Sequence, residues 1–433
     1  MTQTAPQPAP PASPPGKRRA TTPARTSSSG AAADDGRDLT EDVPRLLGRL
    51  QGAAVAVCLA FAVVAVVVQV LSWQANGRAA DNTEQVVRVQ QIQSLLLRAD
   101  AVATNSYLSG GLEPADARAE YDQAVDDVLR LIADAAEAQP ADREALADLN
   151  ATVSQYTTSV AQARELNRQD KTIGIAYVND AGRTLRGTAQ PIVAALVDAN
   201  TDRAEGELDG QHPWWLLGVG VIALFALHLL NRALARRFHR RVNLGLAAAA
   251  VAIGFLTLVT TAHALIESIG NGETRDGAYR TAIDEATART AANDAKANES
   301  RGLINRGAGT TVYEPLWDAQ AEMVDELATP ETLGLWQQYV AAHDAVRERD
   351  DRGEWAAAVQ LAVDRQDGSA TALLDAFDAQ AADVVAAEGA EAADGFRGGG
   401  TISVVLIVLT ALGGLGAAGA AARGIDQRRK EYA

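Results

Sequence analysis

Apolar positions along the chain gather into four long runs, at residues 52–73, 214–231, 242–266 and 400–422. At about 1.5 Å per helical residue each run can cross a hydrocarbon core of roughly 30 Å. The second and third are separated by only ten residues, 232–241, which hold Arg232, Arg236, Arg237, Arg240 and Arg241. Short arginine-rich loops stay on the cytoplasmic side, because guanidinium groups are costly to move through a bilayer. Arg45 and Arg49 before the first run mark the same side, as do Arg423, Arg428, Arg429 and Lys430 in the tail 423–433. The pattern therefore predicts a multi-pass protein of the cell membrane with both termini cytoplasmic. Segments 74–213 and 267–399 lie outside the cytoplasm, and the basic elbow is the pivot between two copies of one plan.

Within those two segments the period changes to that of amphipathic helices. Val89, Ile92, Leu96, Ala99, Ala103 and Ser106 alternate three and four residues apart and predict a bundle seam. No proline lies between Trp73 and Tyr107, so crossing and first outer helix form one rod, ended by Ser109, Gly110 and Gly111. Pro114 opens a helix with Tyr121, Val125, Val128, Ile132 and Ala135, and Pro140 opens one with Leu146, Leu149, Val153, Tyr156, Val160 and Ala163. A fourth helix, from about Lys171, is expected to bend at Pro191. The second segment repeats the order, with its first helix running to about Arg306 and its last continuing from about Glu354 to the glycines at 398–400. The fold class is all-α: four transmembrane helices and two extracytoplasmic up-down four-helix bundles. Asp100 to Ser106 and Asp294 to Ser300 align with four identities in seven residues, an echo that supports duplication.

Charge follows the same partition. Segment 74–213 has 12 basic against 22 acidic residues and segment 267–399 has 11 against 26, although the whole chain carries only −16. Such acidic segments disfavour nucleic acid and anionic lipid as their partners. The single cysteine, Cys58, falls in the first run, so no disulfide staples either bundle. The first run starts too far along the chain for a cleavable signal peptide and reads as an anchor. Residues 1–44 hold eight of the fourteen prolines and no apolar period, and predict a disordered cytoplasmic tail.

Chemistry is sparse. No phosphate-cradling loop, kinase set or nucleophile elbow is present, the five histidines show no pair at ligand spacing, and no metal or cofactor is expected. The runs carry no mid-membrane carboxylate of the kind a transporter uses. An enzyme is not expected. The candidate partner surface is the polar set near the distal ends of the first helices: Asp100, Asn105, Ser106, Asp294, Asn298, Glu299, Ser300 and Arg301, extended by Arg306 and Trp317. Reversal of Asp100 or Asp294 to Lys is expected to leave insertion intact and abolish a response. Inside, the elbow and the C-terminal tail with Arg428, Arg429 and Lys430 offer an effector surface, with the N-terminal tail 1–44 as a further candidate.

The third and fourth helices, around Tyr156 to Arg168 and Asn179 to Asn200, resemble the four-helix-bundle sensor module of bacterial chemoreceptors, without their HAMP linker and signalling coiled coil. The tandem layout over residues 45–430, with the segment Asn298 to Gly307, resembles the GlnX-type four-pass membrane proteins of actinobacteria. That resemblance implies a signal relay between an extracytoplasmic glutamine-binding-type lipoprotein, which senses an amino acid, and a cytoplasmic Ser/Thr kinase. Homodimerisation is left open. The alternatives are a direct small-molecule receptor and a structural scaffold of the envelope.

Overall fold

A computed structural model describes residues 38–110, 113–209, 213–238, 243–306 and 309–431, with side chains from residue 45 onward except in short stretches beside the gaps. Among the described residues there is no strand. The expected N-terminal tail lies almost wholly outside them.

One helix dominates. α1, Asp38–Leu108, has 71 residues and a length of about 105 Å at helical rise. It meets no proline after Pro44, and it stops where Gly110 takes φ +64°, a conformation cheap only for glycine. Its first half joins α6 (Trp214–Phe238), α7 (Leu244–Thr274) and α13 (Gly400–Glu431) in an apolar layer, each helix long and apolar enough to cross a membrane. Leu47, Phe61, Leu227, Leu234, Ile253 and Ile425 fill the centre of this layer, and Ile222, Phe225, Val251, Phe255 and Leu258 face outward, as lipid contact requires. α7 and α13 touch backbone to backbone: a Cβ on Gly245 would come 2.5 Å from the Cα of Gly424.

The first bundle is built from the second half of α1, α2 (Ala115–Ala138), α3 (Arg143–Arg168) and a fourth rod made of α4 (Gly174–Thr184) and α5 (Gln190–Asp209). Every seam position expected on α3 is buried, and so are Val89, Ile92, Leu96 and Ala99 of α1. The distortion in the fourth rod falls before Pro191, not at it. A π turn at Leu185–Ala189 widens the helix, and Gln190 N–H bonds to Leu185 O, so the ring of Pro191 follows a turn already loosened.

The second bundle comprises α8 (Arg280–Ile304), α9 (Glu314–Leu327), α10 (Pro330–Asp351), α11 (Trp355–Val363) and α12 (Ala370–Arg397). Its last helix is not continuous from Glu354. The chain breaks between α11 and α12, where Gly368 adopts φ +82° and the Ser369 hydroxyl caps α12 by accepting from Ala372 N–H. A π turn at Arg275–Tyr279 joins α7 to α8.

The two bundles pack along α1 and α8, which run parallel and in register. Asn271 donates to Asn76 at 2.9 Å, and the hydroxyls of Ser94 and Thr290 lie 2.7 Å apart, pairs separated by 195 and 196 residues. Ala288, Ala291, Ala292 and Ala295 keep α8 slim enough to sit at the centre of the molecule. Almost every residue of α8 from Ala291 onward is consequently buried.

Candidate functional site

The distal part of the α1–α8 seam holds an ion cluster assembled from three rods. Asp100, on α1, is 2% exposed. It accepts from Arg186 Nη1 at 3.0 Å and from Arg301 Nη2, while the other fork nitrogen of Arg186 reaches Asp294 on α8. Asn298 donates to the remaining oxygen of Asp294 at 3.4 Å. The π turn presents Arg186, and Gly182 one turn earlier makes room for Arg301, since a Cβ there would come 2.6 Å from Arg301 Nη2. Burial by itself raises the Asp100 pKa, but Arg301 and Arg186 outweigh it and hold the carboxyl below its usual value. Two carboxylates thus face two guanidiniums, and the cluster is neutral.

Further ties cross the seam. Arg98 of α1 binds Glu120 of its own bundle and Asp375 of α12, and Arg365 binds Glu120 from the other side. Asn105 donates to Thr371 Oγ1 at 3.3 Å. Behind the seam, within the second bundle, Arg289 of α8 grips Asp378 of α12 with two bonds of 2.9 and 2.8 Å, and Asn293 adds a third at 2.6 Å.

A third set lies inside the second bundle. Lys296 Nζ donates to Glu299 Oε1 at 2.5 Å and to Ala362 O at 2.9 Å. Glu299 Oε2 meets His343 Nδ1 at 2.7 Å, and His343 Nε2 reaches Glu314, which also binds Arg347 at 2.9 Å. Trp317 stacks on the imidazole, with ring centres 3.8 Å apart and planes 8° from parallel. Burial opposes charge on His343, yet hydrogen bonds to Glu299 and Glu314 prevail and raise its pKa. A raised folded-state value means that the proton stabilises the fold fully below the usual 6.5 and that this contribution is lost as pH rises through the folded value. The full chain in detergent is therefore expected to melt at a higher temperature at slightly acidic than at alkaline pH. His343→Gln flattens that difference; an unchanged pH profile in the variant refutes the assignment.

The expected partner surface is corrected by this geometry. Asp100, Asn105, Ser106, Asn298, Glu299, Ser300, Arg301 and Trp317 are buried and Asp294 is half-buried, because α1 and α8 have neighbours on both sides. Asp100, Asp294, Asn298 and Arg301 come together across the seam; Glu299 points instead into the second bundle, and Asn105 ties to α12. Only Arg306 is exposed, with its guanidinium 3.5 Å over the Trp355 ring. On the basic ends, Arg232 and Arg236 are exposed, Arg429 and Lys430 both approach Asp426, and Arg428 is half-buried. Arg240, Arg241 and the side chain of Arg237 lie outside the described residues.

Sequence reasoning passed over Arg186, Arg98, Asp375, Lys296 and His343. Lys296 did carry a signal: it is the one lysine of segment 267–399, set within the alanines of α8.

Residues 75–209 match the family model of an actinobacterial sensor domain. That stretch coincides with the first bundle from α1 to the end of α5. No curated protein and no solved structure matches the chain. The first bundle is thus similar to a sensing domain, and the four apolar helices fit a multi-pass membrane protein that carries it.

Proposed function

We propose that the protein is a non-enzymatic transmembrane signal relay, with both bundles outside the cytoplasm and both termini and the arginine elbow inside. The observation that carries this reading is α1: a single helix spans the apolar layer and the full height of the first bundle, and its distal half is pinned by ions to α8, which feeds α7. Displacements of about 1–2 Å at the distal end of such rods reach the opposite membrane face without new structure. The match of the first bundle to a sensor domain supports sensing as its role. Arg45 and Arg49 at the start of α1, Arg232 and Arg236 at the end of α6, and Arg428, Arg429 and Lys430 at the end of α13 lie on one side of the layer, as cytoplasmic ends do.

In this reading the bundles form a tandem sensor module that receives an amino-acid-binding lipoprotein of the glutamine-binding type, and the basic ends engage a Ser/Thr kinase. The buried seam restricts the lipoprotein to exposed distal groups such as Arg306. The test is crosslinking of the tagged protein in intact cells, followed by purification from membranes and identification of what accompanies it. A solute-binding lipoprotein together with a kinase is the expected result. Neither partner, with the protein abundant and intact, refutes the relay.

A further inference from the structure

The first bundle contains an arginine-lined cleft that the ion clusters do not use. It opens between the distal end of α1 and the facing ends of α2 and α3, with a volume of about 380 Å³, in the range of small-molecule sites. Ser106, Tyr107 and Asn167 line it, and Asn167 fixes one wall by donating to Tyr107 O at 3.1 Å. Three guanidiniums converge there, Arg118, Arg164 and Arg168, against the two carboxylates Glu113 and Glu165. Asp122 adds a third carboxylate through Arg118, so the charges balance and what the cleft offers is converging guanidinium forks.

The three arginines differ in how they are held. Arg164 is an anchor: its side chain is 16% exposed, it binds Glu113 at 2.8 Å, and it lies 3.9 Å over the Tyr121 ring. Its Nε is buried and has no acceptor among the described residues. Arg118 and Arg168 are more than half exposed, and each pairs with a carboxylate on its own helix, Arg118 with Asp122 at 2.8 Å and Arg168 with Glu165. Exposed pairs of that kind hold a side chain weakly, so both forks can turn to an incoming anion. Planar guanidinium forks match carboxylates, which they grip through paired hydrogen bonds.

We infer that this cleft is a binding site for a small organic carboxylate, with Arg164 as the fixed donor and Arg118 and Arg168 closing over the ligand. The site goes beyond the relay: it gives the first bundle a direct chemical input that needs no partner protein. It also has a route to the seam. Arg164 borders a second, much smaller cavity of about 10 Å³ whose walls include Asp100 and Thr104, so a ligand that draws on Arg164 acts one side chain away from the carboxylate that joins the bundles.

The experiment uses the full chain purified in detergent and three probes, acetate, L-lactate and succinate, with sodium sulfate at equal ionic strength as the anion control. Calorimetric titration and thermal melting are expected to show saturable binding and a raised midpoint for at least one carboxylate and not for sulfate. Arg168→Gln, at a position 59% exposed and dispensable for packing, weakens that binding about tenfold or more through loss of charge-assisted hydrogen bonds. Arg397→Gln, near the apolar layer, leaves it unchanged. Saturation by no carboxylate, equal binding of sulfate, or unaltered affinity in Arg168→Gln overturns the site. None of these outcomes depends on whether a lipoprotein or a kinase co-purifies, so the relay and the cleft fail separately.

Discussion

Asp100→Asn is expected to destabilise the full chain by about 3–5 kcal/mol, the cost of leaving a buried ion without its counter-ion. Arg301 is only 5% exposed and has Asp100 as its carboxylate partner, so the variant strands a guanidinium inside the seam. Arg186 loses one of its two carboxylates and keeps Asp294. Asp294→Asn is the internal comparison: at 15% exposure, with Arg186 its sole ion partner among the described residues, Asp294 is cheaper to neutralise. Thermal melting of the two variants in detergent should rank Asp100→Asn well below Asp294→Asn, and a midpoint for Asp100→Asn equal to that of the parent chain refutes the ion lock. The pair Asp100→Asn with Arg301→Leu, which removes both buried charges, is expected to recover part of the loss, and a double-mutant cycle measures the coupling. The same geometry changes the meaning of a charge reversal. Lys at position 100 puts a third cation between Arg186 and Arg301, so a silent receptor in that variant reports failed packing as much as failed signalling.

The apolar half of the architecture was legible in the sequence, and the polar half was not. Four runs of continuous hydrophobicity and the three-four spacing of Leu146, Leu149, Val153 and Tyr156 report burial directly, because nothing except a membrane or a bundle core accepts such stretches. Asp100 lies four residues beyond Leu96, close to its own seam where a carboxylate needs a partner, and Arg301 lies on the matching helix of the other bundle, so neither segment read alone names the counter-ion. Their burial comes from a second bundle almost 200 residues away in sequence, and no local period encodes that contact. Alanines hid it further: Ala288, Ala291, Ala292 and Ala295 mark α8 as a helix approached closely from several sides, but their small side chains give no apolar stripe to read. Gly413 and Gly414 show the same limit inside the apolar layer. They pack against Leu256 and Ala62, whereas Gly416 and Gly419 in the same run meet nothing.

Glu299→Gln is expected to be the most damaging conservative change in the second bundle. The amide keeps the shape of the carboxylate but carries no charge and only one acceptor, so packing is preserved while the ion pair and one of the two hydrogen bonds are lost. Of the partners outside position 299, Lys296 has Ala362 O and His343 has Glu314. Burial pushes the Glu299 pKa up, but Lys296 and His343 overcome it and hold the carboxyl at about 2, against an ordinary 4.5. A depression of that size corresponds to roughly 3 kcal/mol of folding free energy, at about 1.4 kcal/mol per pKa unit. Because the folded value is the lower one, this contribution is present above pH 4.5 and disappears as pH falls towards 2. The variant should therefore melt far below the parent chain at neutral pH and approach it as the solution is acidified. On the alkaline side its melting temperature should also vary less than that of the parent, since the carboxylate that does most to raise the His343 pKa is gone. A gap between the two proteins that stays constant from pH 3 to pH 7 excludes the Lys296–Glu299–His343 chain as the source of the stability, and leaves the packing of Trp317, Trp336 and Phe377 to hold the bundle by itself.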